Sequence, residues 1–415
     1  MLVKTLRVKN FRNYQEEEIA FAPGRTIIIG GNAQGKTNLL EAIEYMAFGK
    51  SGRTADDKEL IKSGSDSTRI EINFIGNSLE QKIEVLVSKK LVGSPKGPKT
   101  MLEKKVKING VAYSRTSNLR GRLVVVSFKS LDLNLLRGGP KYRRDWLDDL
   151  SATLKPAYAK LSSRYTKTVT QRNRLLRQIF ENKRNNLSDR DELKVWDQQV
   201  ASLGASVVRS RLAVLKAIIP LAEARQEHLS GTREKLTLDY FFHSLEKEQD
   251  SLEREDTSLH ALSVFAHEES EDLISEKEIE ARLLDCLRAR KEEEIVRRQT
   301  LTGPHRDDIR FKLNGFDATA FASQGQQRSL VLSLKLSELF LVADYLKEPP
   351  ILLLDDVLAE LDLTRQGYLM ASVSDSMQTI ITTTHVDGFE KEWLDGASFI
   401  EVKNGSAKAA PSPIF

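Results

Sequence analysis

The sequence predicts an α/β fold in which both ends of the chain build one sheet-containing domain and the middle inserts a second, mostly helical one. Three observations carry this expectation. A Gly-rich loop, Gly30-Gly31-Asn32-Ala33-Gln34-Gly35-Lys36-Thr37, follows a β-like run and opens a helical one. An apolar run ending in two carboxylates, Ile351 to Asp356, comes about 320 residues later. Between them, residues 126–294 are rich in Leu, Arg, Lys and Glu and poor in Gly.

The chain of 415 residues is long enough for two or three domains. With 40% hydrophobic and 29% charged residues it has an ordinary globular composition. No run of about 18 apolar residues occurs, so no membrane span or membrane partner is expected. The start, Met1 to Val8, alternates like a strand and lacks the apolar core and cleavage site of a signal peptide. Cys286 is the one cysteine, which leaves no internal disulfide and no cysteine-rich zinc site. A cytoplasmic setting is expected. The net charge of +4 is unevenly spread. Residues 137–184 hold thirteen Lys/Arg against four Asp/Glu, and residues 246–280 hold thirteen Asp/Glu against three Lys/Arg. The first segment suits an anionic partner and the second a solvated face.

In chain order, residues 1–125 read as strands with turns, Thr26 to Ile29 as a short buried strand, and Asn38 to Phe48 as a helix with Leu39, Leu40, Ile43 and Met46 at helical spacing. Lys89 to Lys105, with Gly93, Pro95, Gly97 and Pro98 among lysines, reads as a mobile hairpin loop. Residues 230–275 have weak periodicity and suggest partial disorder. Strand and helix character returns at Leu301, with Ile351–Leu354 and Thr379–Thr382 as buried parallel strands. The tail from Gly405 to Pro413 reads as loose. The expected domains are 1–125 with 295–415, and 126–294.

The Gly-rich loop matches the P-loop pattern without a mismatch and in the required strand–loop–helix context. In such a loop the backbone amides of Gly30, Gly31, Asn32, Ala33, Gln34 and Gly35 turn toward phosphate oxygens, and the helix N-terminus adds partial positive charge. Lys36 reaches the β- and γ-phosphates of ATP, and the Thr37 hydroxyl ligates Mg²⁺. Asp355 is the expected carboxylate on the Mg²⁺ side, and Asp356 the catalytic one that polarises an attacking water. Ser323-Gln324-Gly325-Gln326-Gln327-Arg328 precedes an apolar helical run and resembles the signature motif of ABC-type ATPases. Ser323, Gly325 and Gln326 there offer hydroxyl, amide and N–H groups to an anion. Leu358-Ala359-Glu360-Leu361-Asp362 resembles the D-loop at a dimer interface. Thr383-Thr384-His385 resembles the switch-histidine position, from which catalytic His385 donates to the γ-phosphate.

Over residues 160–180 a helical advance of about 100° per residue aligns Lys160, Arg164, Lys167, Gln171, Arg174 and Gln178 on one stripe. Leu161, Tyr165, Val169, Leu176 and Ile179 fall on the opposite side. Lys160, Arg164, Lys167 and Arg174 are the candidate contacts to an anionic partner, since the stripe carries almost no acid to neutralise it, and the family resemblance given next implies that this partner is DNA.

Asn10-Phe11-Arg12-Asn13-Tyr14, Gly138-Gly139-Pro140-Lys141-Tyr142-Arg143-Arg144, Gln171 to Leu176, Gly303-Pro304-His305-Arg306-Asp307-Asp308 and Ser323 to Ser329 together resemble the RecF family, in order and over nearly the whole chain. The resemblance implies an ABC-type ATPase head (Rad50/SMC-like) with a mostly helical arm domain inserted. It implies ATP-dependent homodimerisation, slow ATP hydrolysis and DNA binding, with Arg12 at the nucleotide. It also implies RecR as a partner in a RecF-O-R pathway that places RecA on gapped DNA, and a part in the SOS response. Three features depart from the family, one of them the acidic stretch around 246–280, which lengthens the arm beyond the family's typical size. Phe128-Lys129-Ser130-Leu131-Asp132-Leu133 lacks the usual Pro and Glu, and no Q-loop glutamine is assignable. A transporter ATPase would carry a Leu-Ser-Gly-Gly-Gln signature and a shorter insertion, and an SMC-type bridge would carry sustained heptads. This sequence has neither.

Overall fold

The computed structural model describes residues 1–92, 99–182, 187–243, 274–358, 361–373, 376–386, 389 and 391–412. The chain divides into two compact units, Met1–Asp132 with Lys335–Phe415, and Leu133–Leu334.

The first unit holds β1 (Leu2–Phe11), β2 (Tyr14–Ala20), β3 (Arg25–Ile29), α1 (Lys36–Phe48), β4 (Ser67–Gly76), β5 (Leu79–Val92), β6 (Lys99–Ile108), β7 (Val111–Tyr113) and β8 (Val125–Lys129). The second holds α2 (Asn134–Arg137), α3 (Pro140–Leu154), α4 (Ala157–Asn182), α5 (Leu187–Ser230), β9 (Leu236–Phe241), α6 (Glu276–Ala289), α7 (Lys291–Arg297), β10 (Asp308–Leu313), β11 (Phe316–Asp317) and α8 (Ala318–Phe321). Helix α9 (Gln324–Leu346) begins in the second unit and ends in the first. The first unit then closes with β12 (Ile351–Asp355), α10 (Leu363–Ser372), β13 (Thr379–Thr383), α11 (Lys391–Leu394), β14 (Ser398–Lys403) and β15 (Ser406–Ala410).

Two six-stranded sheets flank the core of the first unit. One is antiparallel, in the order β2-β1-β4-β5-β6-β7, and its strands alternate, as in β4, where Thr68, Ile70, Ile72 and Phe74 are buried. The other has the order β15-β14-β3-β13-β12-β8 and is parallel except at β15. Strand β13 is buried at every position and β12 at all but its last, as a sheet covered on both faces requires. Leu39, Leu40, Ile43 and Met46 of α1 join one apolar core with Val8, Ile70 and Ile72 of the first sheet and Leu353, Ile380 and Val402 of the second.

The second unit is helical around a small antiparallel sheet, β11-β10-β9. Its polar core draws Arg143, Arg144, Arg172, Asn173, Pro304, Asp307 and Asp308 from the motifs that resemble the RecF family. Arg143 clamps Asp308 through two bonds of 2.7 and 2.9 Å, and Arg144 donates to the Asp307 carbonyl. Fully buried Arg172 meets Asp197 at 2.8 Å and Glu294 at 2.6 Å, while Asn173 accepts from the Thr300 amide and hydroxyl. Arg211 joins Asp148, Tyr240 and the Pro304 carbonyl. Three of the thirteen basic residues in 137–184, namely Arg143, Arg144 and Arg172, are thereby spent on the fold.

Four expectations change. Ser406–Ala410 of the tail is not loose: as β15 it pairs antiparallel with β14 through a turn at Asn404-Gly405. Residues 236–241, read as weakly periodic, form β9 against β10. Residues 125–129 form β8 beside β12, so the sheet domain continues past 125. Residues 295–334, expected with the sheet domain, fall in the second compact unit. The glycines and prolines of the expected hairpin loop, and the acidic stretch from 246 to 273, lie outside the described residues.

Candidate nucleotide-binding site

Strands β3, β13 and β12 lie side by side and parallel, so their C-terminal ends share one edge of the sheet. The loop after β3, the Thr383–His385 segment at the end of β13 and Asp355-Asp356 at the end of β12 meet there. Open α/β sheets bind ligands at this edge.

The loop itself depends on left-handed backbone. Ala33 has φ 62° and Gly35 φ 119°, and a Cβ on Gly35 would lie 2.6 Å from the side-chain Nδ2 of Asn13. Glycine is therefore required there. Gly31, Asn32 and Ala33 are exposed at the loop crest. The opening motif holds the loop from behind: Asn13 donates to the Gln34 carbonyl at 2.8 Å, and the buried Tyr14 hydroxyl donates to the Gly35 carbonyl at 3.0 Å. Burial pushes the Tyr14 hydroxyl well above its ordinary pKa, so it remains a donor. Sequence reasoning assigned no task to Asn13 or Tyr14, although their motif was part of the resemblance.

Lys36 is buried and folds its ammonium back over the loop, donating to the carbonyls of Gly30 (2.8 Å) and Gly31 (3.2 Å), with Asp356 at 4.0 Å. The Thr37 hydroxyl donates to Asp355 Oδ1 at 2.8 Å, and Thr382 donates to the same oxygen at 2.8 Å. A hydroxyl and a carboxylate oxygen, side by side at a sheet edge, are hard donors of the kind Mg²⁺ takes. Asp356 turns the chain at φ 54°, its amide donating to Thr382 Oγ1 at 3.1 Å. His385 is exposed, with Nδ1 2.8 Å from Thr384 Oγ1.

Arg12 is brought to this region but is engaged. It makes a two-point ion pair with buried Glu41 of α1, at 2.6 and 3.0 Å, which also accepts from Ser51 and Arg53. In the second unit, Ser323 caps α9: its amide donates to Gln326 Oε1 at 2.8 Å and its hydroxyl accepts from the Gln326 amide at 3.3 Å. Gln326 also donates to Glu234 at 3.0 Å. Gly325 lies in the first turn of α9. Lys160, Arg164, Lys167 and Arg174 are exposed along α4, with Tyr165, Val169, Leu176 and Ile179 buried behind them. Residues 359 and 360 of the D-loop segment lie outside the described residues, whereas Asp362 caps α10.

A family model described as an AAA domain matches residues 5–302. The DNA replication and repair protein RecF of Synechococcus sp. (strain JA-3-3Ab) is 37% identical, over all of this chain and 98% of its own length. RecF of Thermosynechococcus vestitus is 38% identical over 98% of this chain and 97% of its own length. A solved structure of the recombination mediator protein RecF-ATP superposes with a TM-score of 0.82 at 28% identity, covering 99% of this chain and 98% of that one. An SMC head domain from Pyrococcus furiosus, at 16% identity and a TM-score of 0.50, shares the fold. The sheet edge thus belongs to an ABC/SMC-like ATPase head, and the chain is a member of the RecF family of DNA replication and repair proteins.

Proposed function

We propose that this chain is an ATP-controlled DNA-binding protein of DNA repair and replication, acting in the cytoplasm. The observation that carries this reading is the meeting of Lys36, Thr37, Asp355 and Asp356 at one sheet edge behind a braced P-loop. ATP binds with its phosphates under the loop amides, and Lys36 exchanges the Gly30 and Gly31 carbonyls for phosphate oxygens. Mg²⁺ would be held by Thr37 and Asp355. It would neutralise phosphate charge there. Asp356 orients the attacking water, and His385 donates to the terminal phosphate. The signature residues Ser323, Gly325 and Gln326 cap the nucleotide of a second copy, so ATP drives homodimerisation and is hydrolysed slowly. DNA lies along the exposed face of α4. RecR is the expected partner, and RecA loading on gapped DNA and the SOS response the expected outcome, by family resemblance and by the RecFOR pathway named for the solved RecF structures.

The test is duplex binding against salt, with ATP present. Changing Lys160, Arg164, Lys167 and Arg174 together to Glu abolishes ATP-dependent binding while leaving ATP affinity intact. Each single change to Ala lowers the log–log salt slope by about one unit at most. Equal affinities and slopes in wild type and quadruple variant would remove α4 from the DNA surface.

A further inference from the structure

The pocket beside Thr37 and Asp355 contains a cation that the reading above leaves unused. Lys129 ends β8, and the parallel β8–β12 register sets it next to Asp355. Neighbouring residues of parallel strands project to the same face of a sheet. Lys129 lines one pocket with Thr37, Asp355, Glu41, Glu44 and Arg53. Its ammonium pairs at 2.5 Å with Glu44, two helical turns beyond Thr37 on α1. The two side chains are 18% and 5% exposed. Burial pushes the ammonium toward neutrality, but Glu44 and then Asp132 outweigh it and keep the group charged.

Thr37 and Asp355 offer a metal two protein oxygens, and the next strand offers an ammonium. An ammonium has three donors and no lone pair. It repels a metal and binds a phosphate oxygen. We propose that Lys129 is a phosphate-binding residue of this nucleotide pocket, keeping one donor on Glu44 and turning another to a terminal-phosphate oxygen when ATP enters. The inference rests on the reading of the loop as an ATP site. It makes Lys129 a source of charge neutralisation at the terminal phosphate beyond Lys36 and Mg²⁺, so ATP binding by this chain tolerates removal of the metal. ADP, which has no third phosphate, gains nothing from it.

The experiment is equilibrium binding of ATP and ADP to the full chain, in saturating Mg²⁺ and in EDTA. The variants are Lys129→Gln and the double variant Glu44→Gln/Lys129→Gln. The double variant avoids stranding a buried carboxylate without its partner, and thermal melting of both reports whether the fold survives. Either variant weakens ATP binding about tenfold or more in EDTA and less than about threefold in Mg²⁺, with ADP affinity unchanged in both. A loss of equal size with and without Mg²⁺, an equal loss for ADP, no loss in EDTA, or wild-type binding that vanishes in EDTA would overturn the inference. Lys36→Ala separates the two levels: wild-type ATP affinity in that variant sinks the ATP site itself, whereas its loss beside a silent Lys129 sinks only the role of Lys129.

Discussion

Asp356 sits at φ 54°, a left-handed conformation that Asp and Asn tolerate better than most residues. Asp356→Asn therefore keeps the turn and removes the charge. The variant binds ATP like the wild type and releases phosphate on the order of 100-fold more slowly, as loss of a water-orienting base predicts. Normal phosphate release would remove Asp356 from that role. His305 raises a question of stability instead. Its Nε2 lies 3.1 Å from the Thr300 carbonyl, so it donates there, and Nδ1 accepts from the Tyr165 hydroxyl at 2.6 Å. The neutral ring satisfies both contacts, and burial holds its pKa down at about 4. Between about 4 and the ordinary 6.5 the unfolded chain binds more protons than the folded one, so this residue's contribution falls as pH drops through that window. Neighbouring Asp307, raised by burial to about 7, works in the opposite direction over much of the same range. The difference in melting temperature between wild type and His305→Gln should accordingly shrink as pH falls from about 7 to about 4.5. A constant difference would show that His305 does not titrate in this way.

Among elements, the β14–β15 hairpin braces the site from behind the loop. Asn404 and Gly405 have φ 52° and 72°, the signs that a two-residue type I′ turn demands. The turn reaches the P-loop: the Gly405 amide donates to the Gln34 carbonyl at 3.2 Å and the Asn404 amide to Gln34 Oε1 at 2.6 Å. A Cβ on Gly405 would stand 2.8 Å from the Asn13 carbonyl oxygen. Gly405→Ala should destabilise the first unit by about 1–3 kcal/mol and weaken ATP binding, because both the turn and the brace behind the loop must shift. Denaturant unfolding and nucleotide titration measure the two effects. Unchanged ATP affinity in a destabilised variant would uncouple the hairpin from the loop.

For the whole molecule, the P-loop and the carboxylates belong to one compact unit and the signature residues to the other. Under the proposed mechanism the signature acts on the nucleotide of a second copy. Ser323→Arg then leaves ATP binding by the monomer intact and blocks the ATP-dependent rise in sedimentation coefficient. Losing the cap on α9 costs only about 1 kcal/mol, and Ser323→Asn, which keeps a capping oxygen, controls for it. A Ser323→Arg chain that still dimerised with ATP would place the signature away from the interface.

The P-loop, the buried strands β12 and β13, the helix α1 and the amphipathic α4 were legible in the sequence because each is specified locally, by spacing and by backbone rules within about 20 residues. The Asn404-Gly405 turn carried a local signal as well, the Asn-Gly pair, but the Ala-rich, Pro-rich tail after it suggested looseness, and only pairing with β14 makes Ser406–Ala410 a strand. Other features had no local signal at all. Arg143 and Asp308 are 165 residues apart, and Arg172 and Thr300 are 128 apart. Before folding, such arginines cannot be told from those on the open face of α4. Lys129 likewise comes to line a pocket with Thr37 and Asp355 only through its register with Asp355. The sequence by itself determined which chemical groups are present and which short segments present them. The tertiary structure decided which charges are neutralised and which are left to meet a ligand, because pairing across long sequence separations depends on where the packed elements bring their side chains.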